Sequence, residues 1–138
     1  MTPFVSLVLA IASEAPTHCK RKFSPNHYIS IMSNINNNVL WAQQLGGTAF
    51  DAGWGIAADA SGNTYVMGDF SDTVTFANTS LTSGGGNDSF IAKLDSSGNV
   101  LWAQKLGGSS YNTSSGITVD SAGNSYATGF FIRSRFLG

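Results

Sequence analysis

The sequence predicts an all-β chain of antiparallel four-stranded units, about two of them, and three observations carry that prediction. Ser, Thr, Asn and Gly supply 57 of the 138 residues while only 11% are charged, a composition poor in helix formers. The string DASGN at Asp59 returns as DSSGN at Asp95 and DSAGN at Asp120. Each copy sits where a hairpin loop needs glycine for positive φ and Asp to accept bonds from turn amides. The chain also repeats itself: moved by 61 residues, Trp41–Ser71 falls on Trp102–Ile132 with 14 identities in 31 positions. Such a period marks units that bury their faces against neighbours.

Two compositions meet near Tyr28. All prolines (Pro3, Pro16, Pro25), both histidines, the single cysteine and the single glutamate lie within residues 1–27, and no glycine precedes Gly46. The first 27 residues carry a net +2, whereas residues 28–132 carry −5 from seven aspartates and two lysines. Three regions follow: a leader at 1–27, a repeat body at 28–132 with copies at 41–101 and 102–132, and a basic tail at 133–138. The leader's apolar run from Phe4 to Ala12 precedes Ser13, Glu14 and Ala15, a small-x-small pattern that reads as a signal segment over 1–15. Against this, no Lys or Arg precedes the run, and Lys20, Arg21 and Lys22 follow it. The competing reading is a non-native leader. The run is too short to span a bilayer as a helix, so no stable membrane span is expected.

Within the body, eight strands are expected. They are Tyr28–Met32, Val39–Leu45, Gly55–Asp59, Thr64–Phe70, Ser89–Leu94, Val100–Leu106, Gly116–Asp120 and Ser125–Phe131. YISIM at Tyr28 echoes FIAKL at Phe90 if the following turn gains one residue. Along 64–70, Tyr65, Met67 and Asp69 point one way and Thr64, Val66 and Phe70 the other, so both sheet faces should be covered. Four strands per repeat, apolar on both faces, with small residues such as Gly55 and Gly116 where strands crowd an axis, predict propeller blades. A β-sandwich is the alternative, but it has no need of a 61-residue identity.

WAQQLGG, GIAADASGNTYVMGDF and DSFIAKLDSSGNVLWAQKLGG together resemble the bacterial seven-bladed β-propeller repeat family, the SBBP-type repeats, over Tyr28 to about Phe131. The resemblance implies a module of a secreted or surface-attached bacterial protein. About two blades make an incomplete propeller, since closed rings take about four to eight. One whole blade is flanked by an outer hairpin before it and an inner hairpin after it. The expected partners are therefore further blades of the same or another chain. A fragment of a longer array is the leading expectation, and ring assembly from identical chains the second.

Chemistry is sparse. His18, Cys19 and His27 lie outside the repeats and give neither a triad nor a convincing metal cluster. Asp51, Asp69 and Asp72 are the carboxylates to weigh for glycoside hydrolysis, against a reading as solvated loop acids. Asp59, Asp95 and Asp120 lack the spacing of a calcium loop and read as turn caps. Gly84-Gly85-Gly86-Asn87-Asp88 lacks the Lys-Ser/Thr of a phosphate cradle and reads as an interblade loop. Trp41 and Trp102 recur in the repeat and read as blade packing. Trp54, with Ser115 as its counterpart in a glycine-flanked loop, is with Asp51 the candidate ligand contact. No catalytic residue, metal or cofactor is expected, and the near-neutral charge argues against nucleic acid. The expected role is a non-enzymatic interaction or structural module, extracellular or at the cell surface, with a protein or glycan surface as ligand. Two alternatives stand beside it: a lectin-like carbohydrate-binding module, and a non-catalytic piece of a larger propeller enzyme.

Overall fold

The structure, a computed structural model, describes residues 6–12, 28–35 and 38–132. The described residues form eleven antiparallel strands and no helix. They are β1 (Ser6–Ala12), β2 (Tyr28–Ile35), β3 (Asn38–Gly47), β4 (Asp51–Ala58), β5 (Thr64–Phe70), β6 (Thr73–Phe76), β7 (Thr79–Thr82), β8 (Asp88–Leu94), β9 (Val100–Leu106), β10 (Asn112–Val119) and β11 (Ser125–Phe131). All eight expected strands are present, but β4 and β10 begin at Asp51 and Asn112, four residues before the expected Gly55 and Gly116, and end one residue before Asp59 and Asp120. The expected trio His18, Cys19 and His27, the segment Ser13 to Ala15 and the tail from Arg133 lie outside the described residues.

One complete blade stands at the centre, with strand order β4-β5-β8-β9. Its turns are built alike. In each, the Asp N–H donates to the Asn carbonyl and the glycine N–H to the Asp carbonyl, as at Asp59, Asn63 and Gly62. The glycine has φ near +82°, +84° and +82° in the three copies, the left-handed conformation for which the sequence signal called. On one side of the blade lies a five-stranded sheet ordered β1-β2-β3-β6-β7, and on the other the hairpin β10-β11.

Three features depart from the expected strands. A hairpin, β6-β7, follows the first copy and extends the preceding sheet through Gly46 opposite Thr75 and Gly47 opposite Val74. Its two-residue turn is Ala77-Asn78, with φ +50° at Ala77, and Ala is a weak turn signal because its Cβ disfavours that region. Second, part of the leader is a strand: β1 pairs with β2 from Ala12 opposite Tyr28 to Ser6 opposite Asn34. Third, Ser30 lies opposite Gln44 as Phe90 lies opposite Lys105. The echo of YISIM in FIAKL put Tyr28 at that level, so β2 is displaced by two residues. A slide of two keeps the alternation of faces, because the side-chain period is two.

The core lies between the central blade and the sheet before it. Val66, Phe70, Phe90, Ala92 and Leu94 from β5 and β8 meet Leu45, Val74 and Phe76 from β3 and β6. Phe76 and Phe90 have ring centroids 4.9 Å apart, and Phe70 meets Phe90 edge-on at 6.3 Å. All seven residues of β5 are buried, as expected of a strand covered on both faces. Its counterpart β11 contains no buried residue. Tyr65 is 1% exposed and Tyr126 57%; Phe70 is 0% exposed and Phe131 45%. Identical repeat positions thus differ only in what packs against them.

Candidate functional site

The polar groups concentrate where β10 crosses β4 and β5. Asp69, on β5, is 1% exposed, and its carboxylate accepts five hydrogen bonds. Oδ1 receives the Ser89 hydroxyl at 2.8 Å, the Ser114 N–H at 2.8 Å and the Ser114 hydroxyl at 2.7 Å. Oδ2 receives the Trp54 indole N–H and the Thr113 hydroxyl, both at 2.7 Å. A buried carboxylate is costly unless its oxygens are filled, and here donors from two repeat units fill them. The one Ser114 hydroxyl proton is shared between Asp69 Oδ1 and the Gly68 carbonyl, whose oxygen lies 3.0 Å away. Asp69 is therefore a latch between units and not a solvated loop acid. Asp51 departs from that reading too, being buried with Oδ2 accepting the Gly47 N–H at 2.7 Å. Asp72 is exposed, at the base of β6-β7, where its N–H donates to the Ser83 hydroxyl at 2.8 Å.

Trp54 is not in a loop. It is the extra residue of a β-bulge between Gly53 and Gly55 in β4, and Ser115 takes the same place in β10. A bulge re-aims the side chain that it inserts. Trp54 is 51% exposed while its indole N–H is tied to Asp69. Asp51, three residues earlier, lies opposite Phe70 and bonds away toward Gly47. The hydrogen bonds draw Trp54 to Asp69 and Asp51 to Gly47 at the end of β3.

A second latch sits at the loop between β7 and β8. Asp88, fully buried, accepts the Gly84 N–H at 2.9 Å and the Asn112 side-chain amide at 2.8 Å, and Lys105 stands 3.4 Å from its Oδ2. The glycine-rich run serves close approach: a Cβ on Gly84 would stand 2.2 Å from the Gly108 carbonyl oxygen. Asn112 replaces Asp51 in the repeat, and its Nδ2 can donate to Asp88 where a second carboxylate would repel it.

At the other end of the blade, Tyr65 donates to the Gly123 carbonyl at 2.9 Å and lies 3.3 Å from Asp59 Oδ2. Lys93 lies 3.9 Å from that carboxylate and 4.8 Å from the Tyr65 ring centroid. The turn aspartates are caps, as expected. Asp95 Oδ1 accepts from the Ser97 and Asn99 N–H groups at 2.9 Å each, and Oδ2 from the Asn99 side chain at 2.9 Å. The Asn99 side chain, then its N–H, holds the Asp95 carboxyl below its ordinary range. Asp120 is lowered in the same way by Asn124. At Asp59 desolvation pushes upward, but the bonds from Asn63, Ser61 and Tyr65 outweigh it and the carboxyl is lowered. Among the described residues, no group of three or more His, Cys, Asp or Glu side chains is placed to hold a metal, and no helix is long and apolar enough to cross a membrane.

Trp41 spans units as well. Its indole N–H donates to the Ser96 carbonyl at 3.0 Å, and its ring covers Gly98 so closely that an added Cβ would lie 2.6 Å from Cδ2. Successive inner strands also touch: a Cβ on Gly55 would stand 3.2 Å from Ile117 Cγ2 and 3.6 Å from Gly116 Cα. Small residues repeated where inner strands meet are the packing of blades about an axis. Residues 101–129 match the SBBP beta-propeller repeat. The matched segment runs from β9 through most of β11, and residues 40–68 are its equivalent in the first copy. No curated protein matches the chain significantly. The SBBP match carries the fold, all-β with antiparallel blades in an incomplete propeller, and the repeat module; the Asp69 latch was not legible because the repeat holds Phe130 at the corresponding position. That divergence was the only signal available.

Proposed function

We propose that the chain is a non-enzymatic β-propeller repeat module of a secreted or cell-surface bacterial protein, serving as a structural or interaction scaffold. The observation that carries this reading is how the carboxylates are used. Both Asp69 oxygens are filled by structural donors, Asp88 ties two loops together, and the turn aspartates cap hairpins. A general acid or nucleophile needs a carboxyl that faces substrate. The large exposed features are instead apolar sheet positions, among them Tyr126, Phe130 and Phe131, which suit contact with other β-structure. The implied partners are further blades or a protein surface. The test is a hydrolase panel of glycoside, ester and peptide substrates with the intact chain. Turnover abolished by Asp51→Asn or Asp69→Asn overturns the reading. Appearance of the chain outside the cytoplasm on bacterial expression, with loss of residues 1–15 by mass, would support the secreted setting.

One observation favours a second reading as a carbohydrate-binding module. Trp54 is half-exposed yet held by its indole N–H on Asp69, and a fixed aromatic ring is a good stacking surface for a sugar. Glycan-array binding lost in Trp54→Ala would establish it, and an empty array would remove it.

A further inference from the structure

The second latch brings an amine and a carboxamide to the two oxygens of one carboxylate. Asp88 is fully buried. Its Oδ2 lies 3.4 Å from Lys105 Nζ, which also donates to the Thr82 carbonyl at 3.0 Å. Its Oδ1 accepts the Asn112 side-chain N–H at 2.8 Å. The carboxamide is engaged at both ends, because Nδ2 also donates to the Ser110 carbonyl at 2.7 Å and Oδ1 accepts the Ile132 N–H at 3.0 Å. The Gly107 backbone lies against the cluster: a Cβ there would stand 2.3 Å from Asp88 Oδ1 and 2.7 Å from Asn112 Nδ2. Lys105 and Asn112 line one open cleft between β9 and the β10-β11 hairpin.

These are the parts of an acyl transfer. Lys105 is a nucleophile, Asn112 carries the acyl group, and the Ile132 N–H donates to the oxygen on which negative charge would develop. Asp88 touches both the attacking and the leaving nitrogen, the place of an acid-base group. We propose that Lys105 and Asn112 join in an intramolecular isopeptide bond, with Asp88 as the proton relay. The bond welds β9, the outer strand of the central blade, to the start of β10, the inner strand of the next unit. Because the step acts once on the chain itself, it leaves the non-enzymatic reading untouched.

The first copy of the repeat lacks both reactants. WAQQLGG and WAQKLGG differ at one residue, Gln44 against Lys105, and Asp51 stands where Asn112 does. The first copy thus offers no amine at one place and no carboxamide at the other. Its Asp51 accepts the Gly47 N–H instead. A salt bridge to Asp88 would account for Lys105 alone, and a hydrogen bond for Asn112 alone. Their joint placement on Asp88, with a backbone donor on the Asn112 oxygen, is what the cross-link explains.

The step needs no oxidant, reductant or added group. The Lys105 ammonium passes a proton to Asp88 Oδ2, a transfer that leaves no charge to bury. The Lys105 stem is flexible and a third exposed, and rotation about it carries the free amine to Asn112 Cγ. Holding the two groups together makes an amide reactive toward an amine that would ignore it in free solution. The Nζ–Cγ bond forms, Asp88 returns its proton to Nδ2, and the Cγ–Nδ2 bond breaks. Ammonia leaves through the open cleft, taking the surplus Nζ proton as ammonium, and Asp88 ends as the carboxylate it began as.

The test is intact-mass spectrometry of the full chain, folded and held for days at neutral pH. The expected mass is that of the sequence less one ammonia. Trypsin cuts after unmodified lysine, so residues 94–133 should then persist as one peptide, where an unlinked chain gives 94–105 and 106–133. Lys105→Arg keeps the charge at a partly exposed side chain and should show the full mass, with unchanged Trp emission as the folding control. Asp88→Asn removes the relay and should show the full mass as well. A full mass for the unaltered chain overturns the proposal. So does a loss of ammonia that survives in Lys105→Arg, or one that leaves cleavage after Lys105 intact, since either would place the loss at another asparagine.

Discussion

Asp69 and Ser114, 45 residues apart, are joined twice: the same Oδ1 accepts the backbone N–H at 2.8 Å and the hydroxyl at 2.7 Å. The contact holds one blade to the inner strand of the next, and among the described residues the donors to Asp69 are all uncharged. Five donors do the work of a counter-charge, each worth more against a carboxylate than against a neutral acceptor. Asn at this position keeps one acceptor oxygen and turns two N–H groups toward donors. Asp69→Asn is expected to lower unfolding stability by about 3 kcal/mol, read from urea denaturation. A loss under about 1 kcal/mol would show that the latch matters little.

Gly98 and Gly62 occupy the same turn position at φ +84° and +82°, but only Gly98 lies under a tryptophan. An alanine at Gly62 meets Ser96 Cβ at 3.4 Å and should cost about 1 kcal/mol for its conformation alone. At Gly98 the Trp41 ring stands 2.6 Å away, and the cost should rise to about 2 kcal/mol or more. Parallel thermal melts of the two variants, with Trp41 emission followed, check the difference. Equal shifts would mean that Trp41 is not seated on the turn.

Tyr65 and Tyr126 are repeat equivalents with different reach. Tyr65 crosses to the Gly123 carbonyl in the next hairpin, whereas among the described residues Tyr126 bonds the Asp120 carboxylate of its own turn. Tyr65→Phe should lower stability by about 1 kcal/mol, and Tyr126→Phe by less than about 0.5 kcal/mol. The Asp120 hydrogen bond and charge raise the Tyr126 phenol above its ordinary 10.0. A spectrophotometric titration should show that phenol ionising late, and Asp120→Asn should bring it back.

Asp59, Asp95 and Asp120 each have a folded-state carboxyl lowered from the ordinary 3.8. A depressed carboxyl contributes stability that is present above the unfolded value and lost as pH falls through the folded one. The melting temperature should therefore hold from neutrality down to the ordinary carboxylate value and drop below it. Asp95→Asn, which keeps the turn shape without the titration, should flatten that drop. An unchanged acid limb would contradict the assignment of these groups as caps.

The turn strings and the 61-residue identity made the blades readable because each depends on local rules: glycine where φ is positive, Asp where amides need an acceptor, alternation where both faces are covered. The hairpin β6-β7 escaped because Ala77-Asn78 carries a weak turn signal, and its pairing with β3 at Gly46 and Gly47 is non-local. Trp54 read as a loop residue because flanking glycines signal turns as well as bulges. Asp69 read as a loop acid because its five donors come from four residues, two of them 44 and 45 positions away.

By itself the sequence determined the unit: four antiparallel strands, hairpins capped by Asp and Asn, and an all-β repeat written nearly twice. The caps follow from bonds made within a few residues of one another, and the strands from the alternation that each segment carries in itself. The tertiary structure alone decided the fate of each unit's faces. Tyr65 and Tyr126, or Phe70 and Phe131, are the same residues in the same local setting, buried in one copy and exposed in the other. Burial is a property of what lies on the far side of a face, and no local pattern encodes its neighbour.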